Sequence, residues 1–215
     1  MSSSIAAFVG RMSQSPPGSN AANPFDGSQP GNTIRRRNLE RYLEQLAERH
    51  PATLLVGEAP GYRGMRITGV PFTNTALLRQ GVAHFGMLGT ANGYVVPDDL
   101  PTVAAEPTAT VMWRVLEELD FLPVLWSAYP LHPHRPGNPR SNRTPSAAEA
   151  AQWTWSWQAL QELFSITSVV AVGNIAHQSM TRAGFDVPRV RHPAHGGREK
   201  FALGLRVLLD DGVIA

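Results

Sequence analysis

Apolar positions along the chain repeat with two different periods. Four short runs, Thr53 to Val56, Pro123 to Ala128, Ser168 to Val172 and Val187 to Arg191, are dense in Val, Leu and Ala and read as β-strands. Around them the spacing is helical. From Thr33 to His50, Leu39, Tyr42, Leu43 and Leu46 share one face, and Pro51 ends the helix. Thr108 to Leu119 sets Val111, Val115, Leu116 and Leu119 on one side. Thr144-Pro145 and a capping box in Ser146 to Glu149 mark two nearly coincident helix starts. Asn174 is placed to cap a helix reaching Ala183, with Gly184 as its stop, and Arg198 to Leu209 turns Phe201, Leu205 and Leu208 inward. Strands alternating with helices predict an α/β fold, a three-layer α/β/α sandwich around a central, mainly parallel four-stranded sheet with right-handed crossovers.

Two segments lack this periodicity. Residues 13 to 32 are rich in Ser, Pro, Gly and Asn, so residues 1–32 are expected to form a disordered or extended arm ahead of one domain at 33–215. Residues 87 to 107 form a long Gly/Pro-rich connection in which Tyr94-Val95-Val96 alone hints at a strand. Arg35, Arg36 and Arg37 oppose the dipole of the first periodic helix, which fits either a solvated face or contact with phosphate.

Composition narrows the class. With 215 residues, 42% of them apolar, the chain can bury one ordinary core. No run approaches the roughly 18 to 20 apolar residues of a membrane span, and the first residues carry no basic leader before an apolar core, so a cytoplasmic protein is expected. Cysteine is absent, which excludes disulfides, thiolate nucleophiles and cysteine-ligated zinc or iron-sulfur centres. The net charge is +2, and the cations are eighteen Arg against one Lys, a bias that suits forked contacts to phosphate and also arises from base composition.

Candidate chemistry collects in loops that follow the strand-like runs. Gly57-Glu58-Ala59-Pro60-Gly61 lets the backbone turn sharply and approach a ligand, and it is neither GxGxxG nor a Walker loop. Glu58 reads equally as a group that orients water and as a carboxylate that caps a turn. Phe72, between Pro71 and Thr73, offers a ring for stacking on a base or for the core. The loop from Tyr129 to Pro145 holds Arg135, Arg140 and Arg143 among many prolines, a rigid basic surface. His132, His134, His192 and His195 raise a metal site, which the lack of a carboxylate close in sequence argues against. His192 follows the fourth strand, where an imidazole can donate to a developing anion or simply cap the strand end.

The ordered set GEAPG, PFT, the strand feeding an NRTP loop, and HPAHGG resembles the uracil-DNA glycosylase superfamily over roughly residues 51 to 209. The resemblance implies a monofunctional glycosylase that removes uracil or a related deaminated base from DNA, in the cytoplasm of a prokaryote in association with its nucleoid. A monomer with no membrane contact, no cofactor and no metal is expected, since neither a long apolar run nor any cysteine is present. A member that binds DNA or a flipped base with little or no hydrolysis is the alternative. By resemblance Glu58 and His192 are catalytic, with His192 binding the base carbonyl as charge builds there. Gly57, Ala59, Pro60, Gly61, Tyr62, Phe72 and Ser127 line the base pocket. Arg63, Arg66 and Arg143 contact DNA, and His195, Gly196, Gly197 and Arg198 enter the duplex. The chain departs from the family pattern in three ways. The cysteines that commonly hold an iron-sulfur cluster in the GEAPG branch are missing; Ser127 stands where an Asn usually meets the base. Ala59 replaces the water-activating Asp of the best-known branch, and Thr75 an acid found in some relatives.

Overall fold

The computed structural model describes residues 1–100 and 106–215, so part of the long connection expected at 87–107 lies outside the described residues. In chain order the elements are α1 (Ser2–Gln14), β1 (Ala21–Ala22), α2 (Asn32–Ala47), β2 (Thr53–Gly57), α3 (Met65–Thr68), α4 (Thr75–Gln80), α5 (Pro107–Glu118), β3 (Val124–Ser127), β4 (His132–Pro133), α6 (Ala147–Gln152), α7 (Thr154–Leu163), β5 (Ser168–Val172), α8 (Asn174–Arg182), β6 (Arg189–Val190) and α9 (Arg198–Asp210). Contacts divide the chain into two compact units that interleave in sequence. One comprises Met1–Arg49, Pro60–Thr110 and Leu131–Arg143; the other comprises His50–Ala59, Val111–Pro130 and Thr144–Ala215.

The second unit contains the whole central sheet. Its four strands run in the order β3-β2-β5-β6, every neighbouring pair parallel, with Leu55 opposite Leu125 on one side and Val170 on the other. All five residues of β2 and all four of β3 are buried, as expected for strands covered on both faces. Helix α8 packs on β5 and β2, and α9 packs on β6. The α/β class with a four-stranded parallel sheet flanked by helices is therefore the observed fold, built from the four runs that the sequence marks as strands. Two helix boundaries differ from expectation. The capping box at Ser146 and Glu149 forms, but Trp153 breaks the run and separates α6 from α7. Asn174 is the first residue of α8 rather than its cap, because Gly173 takes the cap position and the Asn174 amide oxygen accepts from Arg189 at 2.9 Å.

In the first unit the N-terminal residues are neither disordered nor merely extended. Ile5, Phe8, Val9 and Met12 recur at helical spacing, are buried, and seat α1 on α2. Asn23 fastens the chain beyond α1, donating to the carbonyls of Met12 and Ser15 at 2.8 Å and accepting from Phe25 N–H at 2.8 Å. β1 then pairs antiparallel with β4, Ala21 opposite Pro133 and Ala22 opposite His132. Leu39, Tyr42, Leu43 and Leu46 form the buried face of α2 as predicted. Arg35 is also fully buried, so it is neither solvated nor placed to meet phosphate. It grips Asp99 with both terminal nitrogens, at 3.0 and 2.8 Å, and donates to the carbonyls of Arg66 and Ile67. Tyr94-Val95-Val96 forms no strand, because Asn38 bonds both the N–H and the carbonyl of Val95 through its side chain.

Candidate functional site

In the second unit, three of the singled-out residues stand at the carboxyl ends of parallel strands, where open α/β sheets hold ligands. Gly57 ends β2 opposite Ser127, which ends β3 and is 4% exposed. The pairing continues past both strands, with Ala128 N–H donating to Gly57 O at 2.8 Å and Tyr129 N–H to Glu58 O at 3.1 Å. The backbone that carries Glu58 is thereby fixed. Its side chain is half-buried; burial pushes the carboxyl pKa up, and a hydrogen bond from Thr144 offsets part of that rise. Glu58 is thus a carboxylate with more than ordinary proton affinity, and not a freely solvated turn cap.

His192 follows β6 by two residues and is half-buried. Its Nδ1 accepts from Ala194 N–H at 3.2 Å, so the proton of the neutral ring sits on Nε2. Burial first, then the nearby charges of Arg191 and His195, lower its pKa to about 4. The ring has room because the residue across from it is Gly173, with φ +90°, where an added Cβ would lie 3.1 Å from His192 Cβ. A Cβ on Gly197 would overlap the carbonyl oxygen of His192. Between them His195 (φ +52°) and Gly196 (φ +70°) form an exposed, left-handed tip that Gly197 N–H closes on Ala194 O at 3.0 Å. Arg198 opens α9 and pairs with Glu118.

The first unit holds the other named residues. Phe72 is half-buried and adopts φ +46°, a left-handed conformation that a phenylalanine rarely takes. It is flanked by Thr73, whose hydroxyl donates to Pro71 O at 3.0 Å, and by Asn74, which caps α4 at Leu77 N–H. Thr75 is buried in the first turn of α4. Tyr62 is 7% exposed, and its buried hydroxyl has no hydrogen-bond partner among the described residues. Arg66 is half-buried, its pKa lowered by desolvation and then by the charge of Arg35, whereas Arg63 is exposed. Arg143 does not simply face solvent. Its side chain donates to His134 O at 3.0 Å and to the carbonyls of Ser19 and Asn20, tying the basic loop to the N-terminal segment. His132 is buried, with Nδ1 3.0 Å from Pro60 O and Nε2 3.3 Å from Pro139 O. Among the described residues no group of three or more His, Cys, Asp or Glu side chains gathers as a metal site, and no helix is long and apolar enough to cross a membrane.

Sequence reasoning missed Gly173, although a glycine directly after a strand-like run is the same signal that drew attention to Gly57. It also read Thr144 only as a helix start, since a hydrogen bond to a residue 86 positions earlier leaves no local pattern.

Comparison with known proteins bears on the same arrangement. The family model described as the uracil DNA glycosylase superfamily matches residues 44–208. Among solved structures, the crystal structure of wild-type SMUG2 from Pedobacter heparinus matches with a TM-score of 0.65 and 15% sequence identity, covering 97% of this chain and 98% of that one. At that identity the likeness speaks to the fold. A search of the curated proteins finds no match. The family match spans most of the chain and includes the GEAPG turn, Phe72, Ser127 and the His192 loop; the chain belongs to the uracil DNA glycosylase superfamily.

Proposed function

We propose that the protein is a monofunctional DNA glycosylase that hydrolyses the N-glycosidic bond of uracil, or of a related deaminated base, and so begins base-excision repair. The observation that carries this reading is the state of His192, a neutral imidazole whose Nε2–H is left as its donor. When the bond between sugar and base breaks, the electron pair leaves with the base and charge builds on its carbonyl oxygen. A fixed N–H aimed at that oxygen stabilises the transition state by about 3 kcal/mol in comparable enzymes. A ring with an ordinary pKa would be partly protonated near pH 6.5, whereas this one stays neutral.

Glu58 takes the complementary role beside the sugar. Its carboxylate offsets the positive charge that develops at C1′, and it accepts a proton from the water whose oxygen bonds to that carbon. The departing base takes its proton from solvent. Partial burial supports this role, because it raises the affinity of the carboxylate for that proton.

From the family resemblance, Phe72 takes the role of stacking on the base, and Gly57, Ala59, Pro60, Gly61 and Tyr62 are each assigned a base-binding role. Ser127 meets the edge of the base. Its hydroxyl rotates to donate or accept, so it fixes one pattern of donors less strictly than an amide, which favours a base range that extends to hypoxanthine and xanthine. Arg63 and Arg66 approach phosphates, and the exposed His195-Gly196-Gly197 tip with Arg198 enters the duplex as the nucleotide leaves the stack. Arg198 exchanges Glu118 for phosphate in that step, and Arg143 contributes by holding its loop.

The test is direct. The protein is incubated with labelled oligonucleotides carrying uracil, hypoxanthine or xanthine, double- and single-stranded, and abasic sites are cleaved with alkali. Strand cleavage on at least one substrate is expected. Binding without cleavage on all of them would replace this reading with that of a non-hydrolytic base binder.

A further inference from the structure

The Pro-rich loop looks, as sequence, like a surface made for phosphate. Within the first unit, however, two of its side chains reach the Pro60–Tyr62 turn. His132 Nδ1 lies 3.0 Å from Pro60 O, and Asn142 Oδ1 accepts from Tyr62 N–H at 2.9 Å. These two hydrogen bonds bracket Gly61, where an added Cβ would lie 3.8 Å from the Asn142 amide nitrogen. The main chain of the turn contributes few bonds of its own among the described residues: Pro60 lacks an N–H, Gly61 lacks a side chain, and the internal bond from Gly64 N–H to Gly61 O is 3.2 Å long.

We propose that the loop from Leu131 to Arg143 is a clamp on the Pro60–Tyr62 turn, with Asn142 and His132 as positioning residues that fix its backbone for the base. The kinetic part rests on the glycosylase reading; the structural part does not. His132 suits an anchor, since it is fully buried and its other nitrogen stands 3.3 Å from Pro139 O, so the ring sits between two stretches of main chain. A neutral ring has one N–H, and the shorter contact assigns it to Nδ1. The clamp is itself braced. β4, which contains His132, pairs with β1; His134 N–H donates to Asn20 O at 2.9 Å; and Arg143 N–H donates to Pro133 O at 3.2 Å. The N-terminal segment, the loop and the turn form one chain of support.

Asn142 is exposed, so it can be changed without disturbing a core. Asn142→Leu removes the acceptor, and Asn142→Asp keeps it. Exchange of the Tyr62 amide proton, followed by NMR on the full-length protein, is expected to quicken about tenfold in Asn142→Leu and return to the wild-type rate in Asn142→Asp, with the melting temperature unchanged. On whichever base-bearing oligonucleotide the wild type cleaves, kcat falls about tenfold in Asn142→Leu and recovers in Asn142→Asp, while the added negative charge in the latter raises KM through repulsion of phosphate. His132→Asn keeps a donor near the Nδ1 position and retains more kcat than His132→Leu, although both lower the melting temperature. Unchanged exchange in Asn142→Leu, or failure of Asn142→Asp to restore it, overturns the clamp. If the wild type cleaves no substrate, the glycosylase reading falls and amide exchange alone decides the clamp.

Discussion

His192 shows how much one side chain's environment decides. An imidazole whose folded-state pKa lies below its unfolded value takes up its proton on unfolding, so acid favours the unfolded chain across the interval between the two values. For His192 that interval runs from 6.5 down to about 4. Its contribution to stability is fully present above 6.5 and is lost as pH falls through the window. Two results follow for His192→Ala. Its turnover on the preferred base drops about 100- to 1000-fold at neutral pH with the melting temperature almost unchanged. Its melting temperature also declines less steeply than that of the wild type as pH is lowered from 6.5 to 4, measured by calorimetry in steps of pH. A large loss of melting temperature at neutral pH would instead mark His192 as a packing residue.

At the scale of elements, the loops after the strands depend on residues that bear no chemistry themselves. Gly173 caps α8 and leaves space for the His192 ring. Gly173→Ala introduces both a left-handed alanine and a contact of 3.1 Å with His192 Cβ. It is expected to cost about 1–3 kcal/mol in urea unfolding and to reduce kcat with it, because relief of the contact moves the ring. Wild-type stability and kcat in this variant would show that the ring is held from elsewhere. The strands themselves were legible in the sequence, since Leu54-Leu55-Val56 and Val170-Ala171-Val172 are uninterrupted apolar runs buried on both sides. The motifs were legible as an ordered set; Ser127 ends β3, and Glu58 and His192 follow β2 and β6 of the same sheet. What stayed hidden was contact between distant segments. Nothing near Arg35 announces Asp99, nothing near Glu58 announces Thr144, and the proline-rich composition around Asn142 concealed that its side chain turns toward Tyr62. The first helix was missed for a different reason, because the Ser/Pro/Asn-rich stretch after it outweighed the helical spacing of Ile5, Phe8, Val9 and Met12.

Over the whole molecule, that first helix belongs to the core of its unit. Its four buried side chains are worth roughly 1.5–3 kcal/mol each in apolar burial, a sum comparable with the net stability of an ordinary domain. Removal of residues 1–15 is therefore expected to abolish the cooperative thermal transition, or lower it by more than 15 °C on the usual scaling of about 2–4 °C per kcal/mol, followed by circular dichroism. A truncated chain that melts like the full one would show that α1 only rests on α2.

The link between the N-terminal segment and the Pro-rich loop also has a meaning in time. Asn20 O accepts from an Arg143 nitrogen 123 residues further along the chain. At about 5–20 residues per second of synthesis, the segment leaves the ribosome roughly 6 to 25 s before its partner exists. α1 can settle on α2 early, but β1 must wait with its backbone groups unpaired until β4 has been made. Completion of the first unit is therefore a late event in the birth of this protein, set by the pace of translation rather than by the speed at which its helices form.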